Sequence, residues 1–138
     1  MIKLNPYLSF NGQCREAMNF YKECFGGELT LQTFQDIMGK PGSGEGGQRI
    51  MHSMLENEGL VLMATDMTSP DGFLPGNDMS IALGFDDEES IRSCYTKLLD
   101  GGQVLDELKE SPWGSLFGVV KDKFGKTWMM DYTIQKSS

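Results

Sequence analysis

Acid–base chemistry near neutral pH needs a side chain that changes charge there, and His52 is the only histidine in the 138-residue chain. A neutral imidazole can take a proton as a general base or give a hydrogen bond to a ligand oxygen. His52 stands in the run Ile50-Met51-His52-Ser53-Met54-Leu55, which reads as a strand. The direction it faces depends on the turn that follows. If the Glu56–Gly59 turn pairs Leu55 with Leu60, His52 lies across from Met63 on one face. If the turn is one residue longer, it points the other way. Asp66, at the end of the next strand, can orient the imidazole or contact a ligand, although an Asp at such a junction is also a turn former. His52 is therefore the candidate catalytic residue.

The other reactive residue types offer less. Cys14, Cys24 and Cys94 form no C-x-x-C pair, and their odd number leaves at least one unpaired. Cys24 and Cys94 fall among Phe, Tyr and Leu on helical faces, where a thiol acts as a small buried hydrophobe. There is no G-x-x-x-x-G-K-[ST] phosphate loop and no G-x-S-x-G elbow. The acidic run Asp86–Glu89 reads as a helix start and not as a metal cluster. Tyr7, Met63, Trp113, Phe117 and Met129 are candidates to line an adaptable apolar pocket for a flat or hydrophobic small molecule. Core packing is the competing assignment for the two methionines. Trp113 follows Pro112 on an irregular segment and is expected on a rim or loop, whereas Trp128 is expected to face a helix and to be structural.

Composition narrows the partners. Twelve Lys and Arg against twenty Asp and Glu give a formal charge of −8, which argues against a nucleic-acid partner, because phosphate binding draws on clustered cations. An anionic membrane surface is disfavoured for the same reason. No apolar run approaches the roughly 20 residues that span a bilayer, and Met1-Ile2-Lys3 leads into a strand instead of a signal peptide. The expectation is a soluble, cytoplasmic protein. A chain of this size buries roughly two-thirds of its unfolded surface, enough for a core without staples.

The elements that must position these residues occur twice. Phe10–Gly27 and Phe85–Gly102 share one plan of strand end, helix and Gly-Gly stop, 75 residues apart, and the hairpins Arg49–Asp66 and Ser115–Tyr132 match 66 apart. The difference leaves nine extra residues in the first copy. The nine-residue segment Gly39–Gly47 reads as a loop inserted there, either a surface loop or a mobile flap. Ala17, Phe20, Tyr21, Cys24 and Phe25 make one helical stripe, and Ile91, Cys94, Tyr95, Leu98 and Leu99 make the other. Asn11 or Gly12 can cap the first helix and Asp86 or Asp87 the second. Tyr7–Phe10, Leu29–Phe34, Ser80–Phe85 and Val104–Leu108 read as strands, with Asn57-Glu58-Gly59 and Lys123-Phe124-Gly125 turning the hairpins. The expected fold is α+β. It is one domain over residues 1–138, made of two tandem βαβββ modules at about 1–67 and 78–135, with a short linker and a curved mixed sheet around a cleft.

Several segments also resemble a known family. The opening N-P-Y-L-S-F-N-G-Q-C-R-E-A-M-N-F-Y-K-E-C-F-G-G-E-L, the runs I-M-H-S-M-L and L-V-L-M-A-T-D, and the closing W-G-S-L-F-G-V-V-K-D-K-F-G-K-T-W-M-M are similar to the PhnB-like branch of the vicinal oxygen chelate superfamily. That superfamily includes glyoxalase I, extradiol dioxygenases, fosfomycin-resistance enzymes and bleomycin-binding proteins. The resemblance implies paired βαβββ modules, a homodimer and a histidine often found at the place of His52. It also implies a metal test, since metal-using members place one His, Glu or Gln on each of four strands. The matching positions here are Asn5 or Pro6, Met63, Ser80 and Met129, which are poor ligands for a divalent ion. No metal and no other cofactor is expected. Some relatives bear a methyltransferase name, but no Gly-rich strand–helix turn for S-adenosylmethionine is present. Two functions follow as expectations. One is a small-molecule-binding protein contacting its ligand through Tyr7, His52, Met63, Asp66, Ser80, Trp113, Phe117 and Met129. The other is a glyoxalase-like lyase, isomerase or transferase using His52.

Overall fold

Each copy of the repeat becomes a four-stranded mixed sheet with one long helix. The computed structural model describes residues 1–39 and 48–134, and the chain divides into two compact units, Met1–Leu74 and Pro75–Ser138. The first contains β1 (Tyr7–Ser9), α1 (Cys14–Phe25), β2 (Glu28–Thr33), α2 (Phe34–Met38), β3 (Ile50–Asn57) and β4 (Leu60–Thr65). Its strand order is β1-β4-β3-β2, with β1 parallel to β4 and the other neighbours antiparallel. The second contains β5 (Ile81–Phe85), α3 (Glu88–Leu99), β6 (Gln103–Glu110), β7 (Ser115–Lys121) and β8 (Thr127–Thr133). Its order, β5-β8-β7-β6, repeats the same topology. The α+β class and the doubled βαβββ plan are as read from the sequence.

One face of each sheet is built to receive its helix. Along β3 and β4, Ser53, Leu55, Leu62 and Ala64 are buried, as are Cys14, Ala17, Met18, Phe20, Tyr21 and Cys24 of α1. In the second unit Leu116, Val120, Trp128 and Met130 are buried with Ile91, Cys94 and Leu98 of α3. Full burial of a Leu, Ile, Phe or Met side chain is worth about 1.5–3 kcal/mol, so these stripes hold helix to sheet. The alternate residues of every strand look the other way, onto faces that no helix of the same unit covers.

The helix caps differ between the copies. Asp87 caps α3, its Oδ1 accepting from the Ser90 N–H at 2.7 Å. For α1, Asn11 and Gly12 do not cap. Residue Gln13 occupies the N-cap without a side-chain bond, and Asn11 Oδ1 accepts instead from Arg49 at 3.0 Å. The amides leading into α1 are served from a distance by Asp66, whose Oδ1 accepts from Gly12 N–H at 2.8 Å and from Cys14 N–H, the first of the helix, at 3.0 Å. A carboxylate brought by the fold does the work that a local cap does elsewhere.

The short helix α2 replaces the end of the strand expected over Leu29–Phe34. Thr33 Oγ1 accepts from Asp36 N–H and Asp36 Oδ2 accepts from Thr33 N–H, both at 3.0 Å, a reciprocal capping box. Gly39 ends α2 in the left-handed region at φ 65°. The rest of the inserted loop, residues 40–47, lies outside the described residues.

The two hairpins are not strictly superposable by number. In the first, Asn57 pairs with Leu60 across a two-residue turn. In the second, Asp122 N–H donates to Lys126 O at 2.8 Å across the three residues Lys123-Phe124-Gly125. The 66-residue offset therefore holds for β4 and β8 but falls to 65 for β3 and β7, because the second turn is one residue longer. The Gly-Gly pairs report the same shift. A Cβ on Gly27 would run into the backbone of Glu56 and the side chain of Asn57, and one on Gly102 into the backbone of Lys121 and Asp122.

The D-x-F-G-x-x-W motif is a staple of this second hairpin. Asp122 is only 3% exposed. Its Oδ1 accepts from Phe124 N–H at 2.8 Å and Lys126 N–H at 3.0 Å, and its Oδ2 accepts from the Trp128 indole at 2.8 Å. The carboxylate closes the turn and anchors the buried tryptophan, so burial costs it little: its oxygens are fully used.

Candidate functional site

The register between β3 and β4 decides where His52 looks. Met54, and not His52, pairs with Met63, because Asn57 rather than Leu55 pairs with Leu60. The slip from the expected pairing is two residues, and a two-residue slip preserves the face. His52 therefore shares the helix-free face with Met54 and Met63. Met63 is in turn the partner of Tyr7 on β1, and His52 the partner of Gln32 on β2.

Tyr7 reaches His52 across that face. Its hydroxyl lies 3.3 Å from Nδ1, and the two rings stack with centroids 5.9 Å apart and planes 29° apart. Tyr7 is 46% exposed and His52, Met54 and Met63 are half-buried. The pairing has a chemical consequence. With Nδ1 engaged by the phenol, Nε2 is the nitrogen left to a ligand, and it has no hydrogen bond among the described residues. When Nδ1 accepts the phenolic proton, Nε2 carries hydrogen and donates. When Nδ1 donates to the phenol oxygen, Nε2 is the base.

Asp66 stands elsewhere. At 2% exposure, its carboxylate accepts from the amides of Gly12, Cys14 and Ile50, the last at 2.9 Å. Those three bonds tie the start of α1 to β3, and none reaches His52. Beside it, Cys14 Sγ lies 3.4 Å from Ser53 Oγ, which donates to Ala64 O at 2.8 Å. The thiol is thus the donor to the serine. Burial pushes its pKa up to about 11, and the Asp66 charge adds to this. All three cysteines are buried and none forms a disulfide, a structural role and not a nucleophilic one.

The second sheet presents a different lining. Met129 pairs with Val119 and Ala82, and Asp131 with Phe117 and Gly84. Trp113, on the loop before β7, is 66% exposed and meets Phe117 edge-on, with centroids 5.6 Å apart and planes 70° apart. Ser80 is exposed and precedes β5. Sequence reading passed over Asp131, although its place two residues after Met129 puts it on the same face.

The residues present do not fit a resident divalent metal. The matching positions offer the exposed side chains of Asn5 and Ser80 and the thioethers of Met63 and Met129, weak donors for ions that take imidazole or carboxylate. Among the described residues no three His, Cys, Asp or Glu side chains group to hold an ion. No helix among them is long and apolar enough to cross a membrane.

A duplicated βαβββ unit, each mixed sheet with one long helix on one face and none of its own on the other, defines a recognised class. Residues 3–130 match the Glyoxalase/Bleomycin resistance protein/Dioxygenase superfamily, and the chain belongs to it. The crystal structure of protein PA1353 from Pseudomonas aeruginosa is 32% identical, with a TM-score of 0.83 over 96% of this chain and 98% of that one. A putative 3-demethylubiquinone-9 3-methyltransferase, PhnB protein, from Bacillus cereus is 26% identical, with a TM-score of 0.71 over 95% of this chain and 99% of its own. Protein YjdN of Escherichia coli K12 is 27% identical over 96% of this chain and 97% of its own. These likenesses place the chain with the PhnB type, as the motifs implied.

Proposed function

We propose that this protein binds a small, largely apolar or aromatic molecule on the helix-free face of the first sheet, against Tyr7, His52, Met54 and Met63. The observation that carries the reading is the Tyr7–His52 pair, a stacked and hydrogen-bonded couple 3.3 Å apart at its polar atoms. It sets one directed polar group, Nε2, beside two flexible thioethers on a half-buried surface. Binding sites are commonly made this way, from an apolar lining with a few placed polar atoms. The ligand is then a flat molecule with one oxygen placed to meet Nε2.

A second reading, an enzyme of this superfamily using His52 as acid or base, is favoured by the same free Nε2. Methyl transfer, the activity in the name of the Bacillus relative, is not proposed, since the chain has no Gly-rich strand–helix turn for S-adenosylmethionine.

Calorimetry with 1-naphthol, a planar aromatic carrying one hydroxyl, tests the binding site. Met63→Glu puts a charge in the lining without touching the helix side of the sheet, and is expected to abolish measurable binding. Unchanged affinity in Met63→Glu and in His52→Ala would contradict the proposal. For the enzymatic reading, turnover of any substrate found must vanish in His52→Ala while binding of that substrate survives.

A further inference from the structure

One carboxylate oxygen of the second unit takes no hydrogen bond among the described residues. Ser115, 3% exposed, donates its hydroxyl to Asp131 Oδ1 at 2.8 Å. Its oxygen lies 3.2 Å from Ser111 Oγ, and its own N–H donates to that Ser111 oxygen at 3.2 Å. Since the Ser115 hydrogen goes to Asp131, Ser111 is the donor to Ser115. The relay Ser111 to Ser115 to Asp131 runs one way and fixes the carboxylate. Oδ2 has no hydrogen bond or ion pair among the described residues.

The neighbours of Asp131 across the sheet are Phe117 and Gly84. Phe117 is the cross-strand partner of Asp131 and so shares its face of the sheet, and Trp113 meets Phe117 edge-on at 70°, which brings two rings to this end of β7. Ring faces carry negative charge density. On the other side the partner of Asp131 is Gly84, where a Cβ would meet nothing within 4 Å. The formal charge of −8 adds a favourable long-range field for cations.

We propose that Trp113, Phe117 and Asp131 form a binding site for a small organic cation, either a protonated amine or a quaternary ammonium group. The rings supply cation–π attraction and Asp131 supplies the countercharge. The site does not rest on the His52 reading. Lys109, the partner of Phe117 on β6, bounds it on the remaining side. Two strand spacings of about 4.8 Å separate the Lys109 and Asp131 backbones, and the lysine makes no ion pair with Asp131. It restricts the site to cations small enough to stay on the Asp131 side.

The test is an NMR titration with choline and with 3,3-dimethylbutan-1-ol, its neutral isostere of the same shape. Choline is expected to move the Trp113 indole signal and the Asp131 and Phe117 amides in a saturable way, with at least about threefold tighter binding than the isostere. Asp131→Asn, which keeps an acceptor for Ser115, and Trp113→Ala are each expected to weaken choline roughly three- to tenfold. Lys109→Gln is expected to strengthen it. The Trp128 indole signal, bonded to Asp122, reports that each variant is folded. Equal affinity for the two probes, choline binding that ignores Asp131→Asn, or shifts scattered over other acidic residues would overturn the proposal. The 1-naphthol measurement on the first unit is unaffected by any of these results.

Discussion

The Tyr7 hydroxyl lies 3.3 Å from Nδ1 of His52, joining the first strand of the fold to the third across the open face of one sheet. The bond engages Nδ1 and leaves Nε2 as the imidazole nitrogen that the proposed ligand would meet.

Removing the phenol oxygen tests that assignment. In Tyr7→Phe the ring stack remains but the bond is lost, a loss worth about 0.5–1.5 kcal/mol. The expected result is a roughly two- to tenfold weaker affinity for 1-naphthol and a changed pattern of imidazole ¹⁵N shifts. An unchanged pattern would mean that the phenol does not set the tautomer.

Asp122 predicts a stability effect far from any ligand. Asp122→Ala leaves the Trp128 indole and two turn amides without their acceptor, and each orphaned buried donor costs about 1–3 kcal/mol. Urea denaturation is expected to show a loss of at least about 3 kcal/mol. Asp66→Ala is expected to be comparably severe, since it strands the amides of Gly12, Cys14 and Ile50. A loss below 1 kcal/mol in either variant would show that water replaces these carboxylates.

Gly27 and Gly102 sit against passing backbone, so a methyl group at either position must push two strands apart. Gly27→Ala and Gly102→Ala are each expected to destabilise by more than about 2 kcal/mol, beyond the usual range of surface changes. Gly84→Ala meets open space and is expected to be nearly neutral, which makes it the matched control in the same denaturation series.

The pH dependence has two sides. Burial raises Cys14 from 9.0 to about 11, so the folded chain keeps a proton that the unfolded chain gives up. That contribution to stability is fully present below pH 9 and is lost as pH rises toward 11. On the acid side, Asp36 and Asp87 are held below the usual 3.8 by the amides of Thr33 and Ser90. Their contribution is present above that value and is lost as pH falls below it. Thermal melts should therefore fall off at both ends, and Cys14→Ser should flatten the alkaline fall. Native protein at pH 8 is expected to resist alkylation by iodoacetamide until it is unfolded.

Much of the architecture was legible in the sequence because the helix stripes and the Gly-Gly stops depend on local spacing. The cap of α1 was not legible, since Asp66 reaches it only after β3 and β4 have assembled. The short helix α2 carried a signal, Thr33 three residues before Asp36, but it follows an apolar strand that masks it. The His52 register stayed open because one residue in a turn decides a face, and the structure closed it with the Asn57–Leu60 pair. Asp131 escaped notice because a single acidic residue near a strand end has no local signature, and its partners Ser115 and Phe117 come from a different strand.

Methyl NMR of the ten methionines during a 1-naphthol titration tests the central claim most directly. The proposal predicts saturable shifts at Met54 and Met63, with Met18 and Met130, buried on the helix sides, unmoved. Binding that leaves Met54 and Met63 still, or no binding at all, would contradict it.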